Sequence, residues 1–266
     1  AFGLEAASGA MRELEERGIG LDVGVGKVPI VCSSCLFDLA FGRADVRPSS
    51  MSGILAVRDA FDRTERNETG LEEGCVGAGT GATVGKLAGP ERCMKAGLGA
   101  RAFQLGPLMV GAVSAVNAVG NVIDPATLRP IAGMRATADG VDILNMEQAM
   151  LAMADQLAMP LDRTNTTISC IVTNATLTKA QATKVAQMAA DAYAHTIRPT
   201  HTTNDGDSIY VLASGSLPAD ASERIPLDLM GLVATRTLEA AIVAGCTEAT
   251  GLHGIPAHRD LTSDVA

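Results

Sequence analysis

Tryptophan is absent from this 266-residue chain, and only two tyrosines and five phenylalanines stand in it. So few aromatics argue against a large aromatic pocket. Basic clusters are lacking too: the net charge is −9 and no Lys/Arg run breaks the pattern. That excludes nucleic-acid binding through phosphate neutralisation, which needs a basic face. No stretch approaches the ~20 consecutive apolar residues of a membrane span, and no membrane partner is expected. The apolar run 105–119 is interrupted by Gly106, Pro107, Gly111, Ser114 and Asn117, which suits buried strands. Of the six cysteines only Cys32 and Cys35 are close. Neither a second CxxC nor a His pair at ligand spacing completes a zinc site. His195 and His201 are separated by Pro199, and His253 and His258 read as loop residues. No metal and no cofactor are expected. The cysteines read as buried or strand-edge thiols, which fits a reducing compartment and a cytoplasmic location.

What the chain does have is apolar character in about half its residues and 28 glycines. Composition and length fit a soluble globular domain, taken as one unit over 1–266, with small residues packed closely between layers. Leu4, Ala7, Met11 and Leu14 recur at helical spacing, and Gly18 and Gly20 end that helix. The pattern predicts strands at 28–32, 108–117, 167–173 and 209–213 and helices at 54–66, 178–196 and 226–245. The 123–135 stretch reads as strand or loop, and 69–89 as a glycine-rich loop. Residues 136–165 stand apart: a turn at Ala138-Asp139-Gly140, a Met- and Ala-rich helical stretch over 145–158, then Pro160. They read either as a mobile linker leading to the 165/166 junction or as one more surface helix. Strands and helices alternate irregularly without a repeat, so the class is α+β, layered as αββα, and not a doubly wound sheet. The chain begins at Ala1 and enters a helical pattern at once, so sequence upstream of it is expected.

Four places carry candidate chemistry. Arg163-Thr164-Asn165-Thr166-Thr167-Ile168-Ser169-Cys170 puts a threonine at the mouth of a β-branched run. An internal threonine is a poor nucleophile, but one released as an N-terminus has its own amine as base. The Asn165–Thr166 bond is therefore a candidate for self-cleavage. The run from Gly74 to Lys86 contains G-x-G-x-x-A at Gly77, Gly79 and Ala82. It lacks the strand–loop–helix context of a dinucleotide cradle, and Leu87 stands where a Walker A motif has Ser or Thr. A nucleotide-binding module remains an alternative to a turn-rich loop bringing amides and Lys86 to a site. Asn117, in an apolar strand, is either a structural hydrogen-bonding group or an oxyanion donor. Asn204-Asp205-Gly206-Asp207 is either a strand-entry turn or a carboxylate pair that holds an ammonium.

Taken in order, 74–82, Val116-Asn117-Ala118-Val119-Gly120, the strand after Thr166, Leu177-Thr178-Lys179-Ala180-Gln181 and the 197–207 segment resemble one family. The chain is similar over nearly its whole length to the self-cleaving hydrolases of the DmpA type, the L-aminopeptidase/D-esterases and β-peptidyl aminopeptidases. That resemblance implies an αββα sandwich like the N-terminal-nucleophile hydrolases but differently connected. It implies cleavage into 1–165 and 166–266, the two pieces staying together in a homo-oligomer, expected to be a tetramer. It implies Thr166 as nucleophile, Asn117 as oxyanion donor, Lys86 in the nucleophile's surroundings, and Asp205 and Asp207 beside the Thr166 amine and hydroxyl. Most peptidase members carry Ser at the nucleophile. Thr with two Asp looks more like the 6-aminohexanoate-oligomer (nylon) hydrolase branch, so the expected substrate is such an oligomer, with aminopeptidase/D-esterase or β-peptidyl aminopeptidase activity as the alternative. Family members carry several tens of residues ahead of the position matching Leu4, again pointing to upstream sequence.

Overall fold

The computed structural model describes residues 2–153 and 165–262, and its chain divides into two compact units, Ala1–Leu71 and Glu72–Ala266. The last part of the expected linker, 154–164, lies outside the described residues.

In the first unit, helix α1 (Glu5–Glu16) packs on helix α2 (Ser50–Glu65), with a two-rung ladder of β1 (Leu21–Asp22) and β2 (Lys27–Val28) beside them. The helices meet at glycines. A Cβ on Gly9 would lie 1.8 Å from the Ser50 carbonyl oxygen, and one on Gly53 would lie 1.9 Å from that of Ala6. Ser49 begins α2 with a capping box to Ser52. The strand expected over 28–32 shrinks to the Lys27–Val28 rung, since Pro29 has no N–H to continue a ladder.

The second unit holds β3 (Thr83–Val84), β4 (Met94–Lys95), β5 (Leu98–Leu105), β6 (Leu108–Ala115), β7 (Asn121–Ile123) and β8 (Pro130–Ala132), then helix α3 (Met146–Met153). Beyond residue 164 come β9 (Ile168–Thr173), α4 (Lys179–Ala189), α5 (Asp191–Thr196), β10 (Ile197–Arg198), β11 (Ser208–Ala213), α6 (Ala219–Glu223), α7 (Leu227–Thr247) and α8 (His258–Thr262). The main sheet runs β11-β9-β6-β5, with β9 parallel to β11 and antiparallel to β6. A smaller sheet runs β10-β7-β8.

Helices α4, α5 and α7 form one layer, and α7 lies against β5 and β6. Val110, Ala112, Ile171, Leu238 and Ile242 are buried between sheet and helix. Each of the Val, Ile and Leu side chains among them contributes about 1.5–3 kcal/mol on burial. The approach is close because Gly99 faces α7, where a Cβ would fall 2.1 Å from the Ala241 oxygen. The 21 residues of α7 are long and apolar enough to cross a membrane, with a window of mean hydropathy 1.4, which corrects the expectation that no stretch approaches that length. That window is 72% buried inside the fold, as a core helix is. The α+β class expected from the sequence is the class observed.

Candidate active site

Strand directions decide what meets. Asn117 follows the C-terminal end of β6, Thr166 precedes the N-terminal end of β9, and Asp207 immediately precedes β11. Because β6 is antiparallel to β9 and β11 is parallel to it, Ala115 and Ser208 both pair with Ile168. All three site residues therefore arrive at one end of the sheet. Isolated pairing of Asn165 with Asp205 extends the parallel ladder past the strand ends.

On the β6 side, Asn117 is completely buried. Its Oδ1 accepts from Lys86 Nζ at 2.5 Å and from the Thr83 N–H at 3.2 Å, and its main-chain oxygen accepts from Lys86 Nζ at 3.2 Å. Two donors on Oδ1 fix which end of the carboxamide is which, and turn Nδ2 to the other side. The Thr166 N–H donates to the Asn117 main-chain oxygen at 2.9 Å.

Lys86 reaches Asn117 because the glycine-rich loop is folded into tight turns. Gly85 has φ +75°, and a Cβ there would lie 2.1 Å from the Gly133 carbonyl carbon, so the turn requires glycine. The loop runs on into β3 and a three-residue 3-10 turn, Lys86–Ala88, where a phosphate cradle has a full helix. Its carbonyls are gathered by the wholly buried Lys95, whose Nζ donates to the oxygens of Gly79 and Ala82 at 2.9 and 2.8 Å. Sequence reasoning does not single out Lys95, since a lysine beside a strand reads as surface.

On the other side, the Thr166 hydroxyl donates to the Asn165 carbonyl oxygen at 2.5 Å, and the Gly206 N–H donates to the same oxygen at 3.0 Å. Asp205 Oδ2 accepts from the Thr202 N–H and hydroxyl, both at 2.8 Å. Asp207 Oδ1 accepts from the Thr167 N–H at 2.7 Å, so this carboxylate holds the amide next to Thr166. Burial pushes the Asp207 carboxyl up to about 6, helped by the charge of Asp205 and opposed by the Thr167 amide and by His201.

His201 stands with its Nδ1 3.4 Å from Asp207 Oδ2 and its ring centroid 5.7 Å from that of Tyr193. Sequence reasoning finds no catalytic partner among the four histidines. His201 joins the site only through the fold, with no spacing signal to find it. The Tyr193 hydroxyl in turn contacts Ser169 at 2.8 Å and the Thr167 oxygen at 3.2 Å, and burial raises its pKa. Among the described residues no group of three or more His, Cys, Asp or Glu is arranged to hold a metal ion. The cysteines are free thiols, and Cys93 and Cys246 are buried with raised pKa values from desolvation.

The chain is similar to known proteins in sequence and in fold. An uncharacterized aminopeptidase of Mycobacterium leprae (strain TN) is 37% identical over 270 residues, covering 97% of this chain and 72% of that relative. A 6-aminohexanoate-oligomer endohydrolase of Paenarthrobacter ureafaciens is 27% identical over 252 residues, covering 92% of this chain and 68% of its own. Among solved structures, a β-aminopeptidase of Burkholderia sp. matches with a TM-score of 0.56 at 19% identity, over 98% of this chain and 71% of that one, a likeness of fold. The model of peptidase family S58 matches residues 1–259. With that span and the 37% relative together, the chain belongs to peptidase family S58, a family of peptide- and amide-cleaving hydrolases.

Proposed function

We propose that this chain is a self-processing amide hydrolase in which Thr166 is first the nucleophile that cuts its own chain and then the N-terminal nucleophile that cuts substrate. The observation that carries the reading is the Thr166 hydroxyl held 2.5 Å from the carbonyl oxygen of Asn165, both residues buried, with the Thr166 N–H on the Asn117 oxygen and the Thr167 N–H on Asp207. Cleavage at Asn165–Thr166 yields residues 1–165 and 166–266, which remain packed as one enzyme and assemble as a homo-oligomer.

The freed Thr166 amine has a reference pKa near ~8, so near neutrality a useful fraction is uncharged and accepts the hydroxyl proton. Thr166 Oγ1 then attacks a substrate amide, and the Asn117 carboxamide donates to the oxyanion. Lys86 and the Thr83 amide serve this step by fixing the carboxamide's orientation. The protonated amine delivers its proton to the leaving nitrogen, and water clears the acyl-enzyme. Asp207 and Asp205 stabilise the ammonium form of the amine between steps.

The proposed substrates are short linear peptides and amides. The 37% identity to a chain named an aminopeptidase supports peptides. A threonine at 166 with aspartates at 205 and 207 supports a second reading, 6-aminohexanoate oligomers, which the 27% relative is named for. Assay of the purified protein on β-alanyl and D-amino-acid amides against 6-aminohexanoate oligomers separates the two. Hydrolysis of none of these amides contradicts the proposal.

A further inference from the structure

The scissile carbonyl has a second hydrogen-bond partner that no role above uses. The Gly206 N–H points at the Asn165 oxygen from 3.0 Å, and the next rung of the same parallel ladder, the Ser208 N–H on the Thr167 oxygen, measures 3.1 Å. Elsewhere in a sheet such a rung is structural only. Here its acceptor is the carbonyl that the proposed self-cleavage must convert to a tetrahedral oxyanion.

We propose that the backbone N–H of Gly206 is the oxyanion donor for self-cleavage, a group separate from the Asn117 carboxamide that serves substrate turnover. The inference rests on the self-processing reading. Three observations support it. Two donors hold the Asn165 oxygen, and one of them is the attacking hydroxyl. Once that hydroxyl turns to attack the carbon, Gly206 keeps its place on the oxygen. The donor is preorganised, because the β9–β11 ladder fixes it before reaction and the site is buried, with Asn165 and Thr166 at 4% and 8% exposure. The residue is glycine where the nucleophile needs room: a Cβ at 206 would lie 2.9 Å from Thr166 Oγ1. Asn117 meets the other end of the same peptide, where its main-chain oxygen accepts from the Thr166 nitrogen.

The step balances. A bond forms between Thr166 Oγ1 and the Asn165 carbonyl carbon, and the carbonyl π electrons move onto the oxygen that faces Gly206. On collapse the carbon–nitrogen bond of the peptide breaks, and the Thr166 nitrogen takes the proton that the hydroxyl gave up. Water then hydrolyses the ester to the Asn165 carboxylate and the free Thr166 hydroxyl.

The test replaces a single backbone nitrogen by oxygen in the full chain, made by cell-free synthesis with the corresponding hydroxy acid, and follows cleavage by intact mass. An ester in place of the Gly206 amide removes the proposed donor and adds no side chain. An ester in place of the Ser208 amide removes the neighbouring rung. The expected result is cleavage slowed about 100-fold or more by the first, the scale of losing one oxyanion donor, and less than about threefold by the second. Equal slowing by both, or unimpaired cleavage with the Gly206 ester, overturns the assignment and leaves the self-processing reading intact. Thermal melting of both esters in the uncut Thr166→Ala background completes the test. A Gly206 ester that melts far below the Ser208 ester overturns it in favour of a purely structural rung. An unmodified chain that is never cut at Asn165–Thr166 overturns the reading and the inference together.

Discussion

On the β6 side of the Thr166 peptide, the acceptors are matched: Asn117 Oδ1 takes the Lys86 ammonium and the Thr83 amide, and the Asn117 main-chain oxygen takes the Thr166 amide. On the β11 side, Asn165 Oδ1, Thr167 Oγ1, Thr200 Oγ1 and Asp205 Oδ1 are buried with no protein partner. Only one other side-chain atom among the described residues shares that condition, Arg135 Nε. The contrast separates a finished half from an unfinished one. A saturated network in a dry place is rigid, which suits a donor that must not reorganise during reaction. Buried groups without partners cost about 1–3 kcal/mol each. Three of them, on Asn165, Thr167 and the Asp205 that pairs with Asn165, flank the bond that, on the proposed reading, will break and leave a new amine with donors to offer. Processing is then the event that completes the second half.

The largest effect comes from removing the shared element. Thr166→Ala leaves the chain uncut and without amide hydrolysis, seen as a single band and no product, whereas Thr166→Ser keeps measurable processing because it keeps the hydroxyl. Asn117→Ala breaks the finished half. Turnover in chains that do cleave falls about 10²–10³-fold, and denaturant unfolding shows a loss of about 1–3 kcal/mol, because the Thr83 N–H loses its buried acceptor. The smallest effect sharpens the unfinished half. Asp207 keeps its proton to about pH 6 when folded but releases it near 3.8 when unfolded, so between these values the folded chain binds more protons. Stability from this group is therefore greatest below about pH 4 and is lost as pH rises through 6, by about 2–3 kcal/mol in all. Denaturation of the uncut Thr166→Ala chain across pH 4–7 measures that slope, and Asp207→Asn flattens it.

Much of this is legible in the chain. Helix α1 follows from apolar spacing, although only Gly9 and Glu13 of it are buried, and β6 and β9 follow from apolar, β-branched runs whose inner face is buried. Strand β5 escapes a sequence reading for a physical reason. Its helix-facing residues include Gly99, which makes room for α7, and Arg101, which is held by Glu73 at 2.6 Å, so no apolar alternation marks it. The predicted helix over 178–196 is there, broken near Ala190 into α4 and α5. Of the five residues singled out in the sequence, Asn117 accepts from the Thr166 N–H, Asp207 from the Thr167 N–H, Asp205 pairs with Asn165, and Lys86 reaches Asn117. His201, Lys95 and the Gly206 N–H are not legible. The first two act through contacts between distant segments, and the third is a main-chain group whose importance depends on which carbonyl it faces.

The most direct test of the account is N-terminal sequencing with intact mass on the freshly purified protein. Two chains are expected, one of them beginning Thr-Thr-Ile-Ser-Cys at Thr166. A single uncut chain with full amidase activity would contradict it.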